Sequence, residues 1–73
     1  MTQDFFNELA LEEARRILDN DVDLTIEDIK DILETEVENL FMSLSKEEKR
    51  EIDIDEALDY AIQTIQEEEN DFT

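Results

Sequence analysis

Not one of the 73 residues is Gly or Pro, and that absence decides most of what the chain can fold into. Tight hairpins draw on Gly for their positive-φ positions, and no stretch alternates apolar and polar residues between turn-forming clusters as half-buried strands do. Apolar residues instead recur every three or four positions along the whole chain, the period of an amphipathic helix. The fold class expected is therefore all-α. Residues 1–73 read as a single acidic helical domain, a small three-helix bundle with a short fourth helical turn.

The first helix is expected to take Thr2 as its N-cap and run to about Leu18, with Phe6, Leu9, Ala10, Ala14 and Ile17 on one face. Asp4, Glu8, Glu12, Arg15 and Asp19 fall opposite. In the second, Thr25 caps the start, Leu24 is placed to staple onto Ile29, and Glu27 and Asp28 suit the positive end of the helix. Its core stripe is read as Ile29, Ile32, Leu33, Val37, Leu40 and Leu44, with Phe41 at the edge. Ser45 and Glu48 have the spacing of a capping box, predicting a turn of helix over Lys46 to Arg50. The last helix is expected from Asp53 to about Glu68, with Ile54, Ala57, Leu58, Ala61, Ile62 and Ile65 lining its inner face. Residues 67–73 read as a frayed acidic tail.

Charge sets the functional limits. Twenty-four Asp and Glu stand against six Lys and Arg with no His, a net charge of −18. Such a chain repels DNA, RNA and anionic membrane and attracts cationic surfaces. No apolar run approaches the roughly 18 residues of a membrane span, and the start of the chain lacks a basic region followed by an apolar one. The expectation is a cytoplasmic protein with no membrane association and no direct nucleic-acid contact. Crowding like charges onto a small globule also destabilises it. The apolar positions suffice for a minimal monomer core, whereas the charge penalty favours a homodimer, and both states stay open.

Catalysis finds little to work with. Without His or Cys there is no imidazole base, thiolate or histidine metal ligand, and without Gly no backbone loop closes on phosphates. Paired carboxylates alone can hydrolyse glycosides, but among 24 acids such pairs arise by chance. No enzyme activity, catalytic residue or cofactor is expected. Residues 19–30, from Asp19 through Asp21 and Asp23 to Lys30, resemble an EF-hand calcium loop. Leu24 stands where that loop needs Gly, however, and Lys30 where a bidentate Glu completes the shell. No metal site is assigned, and divalent-cation binding ranks below the other readings. Acyl carrier proteins share the size, charge and helical build, but they need an Asp-Ser dipeptide, and Ser43 and Ser45 follow Met42 and Leu44.

The feature with most functional content is the outward row Glu27, Asp31, Glu34 and Glu38, interrupted by Lys30 alone. At about 1.5 Å rise per residue its charges fall roughly 4.5 to 6 Å apart along a line, comparable with phosphate crowding along a duplex. Glu56, Asp59 and Glu67 make a second, sparser row. Met42 and Tyr60 lie beside these rows, as interface anchors or as packing at a helix junction. In composition and build the chain resembles the small acidic DNA-mimic inhibitors of phages and mobile elements, which act against restriction, CRISPR or repair enzymes. The resemblance implies an inhibitor occupying the basic groove of a nucleic-acid-binding protein. The alternatives are an adaptor or assembly factor docking on another basic partner, and a solvated face with no partner.

Overall fold

The computed structural model describes residues 1–20 and 23–70. Their backbone forms four helices, α1 (Gln3–Asn20), α2 (Ile26–Met42), α3 (Lys46–Glu51) and α4 (Ile54–Asn70), with no strand among the described residues. The protein is a small all-α bundle of three long helices and one short one.

Each start has its cap. Thr2 Oγ1 accepts from the Phe5 N–H at 3.2 Å and opens α1. Thr25 is extended (φ −77°, ψ 164°) and its hydroxyl accepts from the Asp28 N–H at 3.2 Å. Ser45 and Glu48 close both halves of a capping box, each side chain accepting the other's backbone N–H at 3.3 Å. Asp53 Oδ1 accepts from the N–H groups of Asp55 and Glu56 at 3.0 and 3.4 Å, starting α4. These bonds satisfy donors that a helix start otherwise leaves unpaired.

Three contacts fix how the first and last helices lie. Gln3 meets the backbone of Asp53, Glu8 meets Tyr60, and Arg15 meets Glu68. Both partners advance along the chain together, so α1 and α4 run parallel. The short connection from α1 turns α2 antiparallel to both, and α3 forms the corner from which α4 returns. The resulting rod measures 42 × 19 × 16 Å.

Phe6, Ala10, Leu11 and Ala14 of α1, Leu33 and Val37 of α2, and Ala57, Leu58, Ala61 and Ile65 of α4 form the buried core, with Ile52 at the α3–α4 joint. Contact is most extensive between α1 and α4. Ala10, Ala14, Ala57 and Ala61 are all fully buried. Small side chains on both helices let their backbones approach closely, and the register brings Ala10 near the level of Ala61.

The sequence reading is corrected at three places. Leu11 is 4% exposed and belongs to the core, while Leu9 is half-buried, because α1 turns toward α4 more than the apolar stripe implies. Ile32, read as a stripe residue, is 41% exposed. It lies about 100° round the helix from Leu33, beyond the arc that two neighbouring helices cover. Finally, α4 continues to Asn70, so the helix takes in 67–70 of the expected frayed tail, and 71–73 lie outside the described residues. No helix among the described residues is long and apolar enough to cross a membrane.

Candidate partner-binding surface

Thr25 caps the start of α2, and packing of its apolar face sets the direction of the acids on the helix. Ile29, Leu33 and Val37 are fully buried, which turns Glu27, Asp31, Glu34 and Glu38 outward, all exposed. On a regular helix these four fall within an arc of about 60°. Among the described residues none of the four carboxylates is in an ion pair. The salt bridges there join Arg15 to Glu68, Arg16 to Glu13 and Glu36, and the N-terminal ammonium to Glu48.

Arg15, Arg16 and Lys49 are engaged away from the row. Arg15 ties α1 to α4, and the Glu68 carboxylate raises its pKa further above the ordinary value by hydrogen bonding and by its charge. Arg16 spans from α1 toward α2. Lys49 stands 5.9 Å from the centroid of the Phe41 ring, a cation–π contact. Glu48 titrates below the usual carboxylate range, first because it accepts a hydrogen bond from the N-terminal ammonium, then because it accepts from Ser45.

The second row is looser than its spacing implies. Glu56, Asp59 and Glu67 are all exposed, but on a regular helix Asp59 sits some 60 to 80° from the other two. It turns toward α2 and shares a groove with Lys30, Ile62, Gln63 and Gln66. Met42 is 69% exposed and follows Glu38 by one helical step, extending the outward row with an apolar side chain. Tyr60 differs. It is half-buried against the core, and its hydroxyl donates to Glu8 Oε1 at 3.3 Å, so here it is a packing residue of the α1–α4 junction. The nearby Glu8 charge raises the phenol pKa, with desolvation adding to it. Asp21 and Val22 of the acidic α1–α2 connection lie outside the described residues.

What the sequence reading missed is a groove. Glu34 and Glu38 of α2 face Glu51, Asp53 and Asp55 of the α3–α4 corner across an open cleft of about 520 Å³. Phe41, Ile52, Ile54 and Leu58 supply its apolar lining, and Arg50 its one cation. Gln3 braces the corner. Its side-chain oxygen accepts from the Asp53 N–H at 2.6 Å and its amide donates to the Asp53 carbonyl at 3.1 Å. Asp53 was readable as the start of the last helix, but its position opposite Glu34 depends on the turn that α3 makes. Compared with known protein families, with curated proteins and with solved structures, the chain finds no match.

Proposed function

We propose that this protein is a non-catalytic acidic ligand for a basic protein surface, and that it inhibits a nucleic-acid-binding protein by occupying the groove meant for phosphates. The observation that carries this reading is the row Glu27, Asp31, Glu34 and Glu38. It consists of aligned, exposed carboxylates on one rigid helix, with no cation paired to them among the described residues. Arg and Lys side chains bind carboxylates with the same charge-assisted hydrogen bonds they give phosphates, so such a row competes for the same partners. On this reading the target is of restriction, CRISPR or repair type, and the protein works in the cytoplasm alongside it.

The test is competition. A target captured from native lysate by the intact chain is expected to be released by excess duplex DNA or RNA, and its association rate to fall steeply with added salt. A target that stays bound in excess duplex overturns the nucleic-acid reading. It would favour an adaptor docking on another kind of basic protein, a role supported by the apolar lining of the groove beside the row.

A further inference from the structure

We infer that the cleft between α2 and the α3–α4 corner is the docking site for a cationic segment of a partner protein that presents one apolar side chain between Arg or Lys residues. The inference rests on reading the acidic face as a partner surface, and it specifies what that surface grips. Charge complementarity is the first argument. Five carboxylates (Glu34, Glu38, Glu51, Asp53 and Asp55) and one guanidinium (Arg50) line the cleft, a net charge of 1 − 5 = −4. The neighbouring groove holds Lys30 against Asp59 and is neutral. Of the two grooves, the first alone attracts a cation strongly.

The second argument is the floor. Phe41 and Ile54 are half-buried and leave apolar surface between the acidic walls, backed by the buried side chains of Ile52 and Leu58. A phosphate backbone has no counterpart for such a floor. An apolar side chain seated there expels water from between the carboxylates and their cationic partners, which strengthens each charge contact. The walls are set in advance. Asp53 is held by its own cap and by Gln3, so the segment meets a corner that is already ordered.

Two synthetic peptides of equal charge test this on the intact chain. In one, Arg and Lys flank a single Leu; in the other, Ser replaces that Leu. The Leu peptide is expected to bind at least about tenfold more tightly, and to keep that advantage at about 0.5 M salt, where exposed charges are screened. Amide shifts on titration should centre on Phe41, Ile52, Ile54 and Leu58. Equal affinities overturn the inference, as do shifts centred on the outer face of α1 or around Lys30 and Asp59. In a second arm, Glu34→Gln, Glu38→Gln and Asp55→Asn together should weaken the Leu peptide about tenfold more than Asp4→Asn, Glu12→Gln and Asp19→Asn, which remove the same charge elsewhere. Equal losses show attraction by net charge alone and overturn it. No nucleic acid enters either arm, so failure of the groove is told apart from failure of the duplex competition.

Discussion

Tyr60 is the single tyrosine of the chain, which has no tryptophan, so its ionisation can be followed by absorbance without interference. Glu8 holds the phenol in its neutral form, lifting its pKa above the ordinary value of about 10. A raised value in the folded state means that the stabilisation is fully present below the ordinary value. It disappears as pH climbs through the folded one. The alkaline titration should therefore lag that of free tyrosine, and Glu8→Gln should bring it back toward the ordinary value. An unchanged titration in that variant would show that desolvation governs the shift. Gln3 teaches the complementary lesson. Nothing in the sequence marks this Gln among other polar residues near a helix start, yet its two bonds to Asp53 hold one wall of the candidate cleft.

At the scale of helices, caps were the most legible features. Thr25, the Ser45–Glu48 pair and Asp53 each stand where their spacing places them, because capping is local and needs no knowledge of neighbours. Thr25→Ala should cost about 1 kcal/mol in denaturant unfolding, leaving the α2 start without its acceptor. Interhelix geometry was less legible. Periodicity gives an apolar stripe but not how packing rotates it toward a neighbour or how much of it is covered, which is why Leu11 was missed and Ile32 over-read. The cleft escaped for the same reason, since Glu34 and Asp55 become neighbours through packing rather than spacing. Close approach along the α1–α4 seam makes a sharper claim. Ala61→Leu, a larger apolar residue at a fully buried site, should destabilise by about 1 to 3 kcal/mol through overpacking. Thermal unfolding that moved upward instead would show the helices to be loosely apposed.

For the molecule as a whole, a net charge of −18 on 73 residues sets the terms. A domain this small buries only about 60% of its unfolded surface and has little stability in reserve. Self-repulsion takes part of that reserve and is screened by salt. The melting temperature should accordingly rise with ionic strength, whereas association with a basic target weakens. Replacing Asp31 with Asn and both Glu34 and Glu38 with Gln should raise the melting temperature at low salt and abolish binding to that target. A variant that bound normally would refute the role given to the outward row. The all-α class and the row itself were readable from period and charge, because both are one-dimensional patterns.

The parallel seam has a consequence for how the protein assembles. Its most extensive interface joins α1 to α4, so the α1 side of that surface stays bare until residues some fifty positions further along have been laid down. Closing so long a loop carries an entropic cost before any contact repays it. During synthesis the emerging chain must therefore wait for α4, and its apolar stripes are open to capture until that helix arrives.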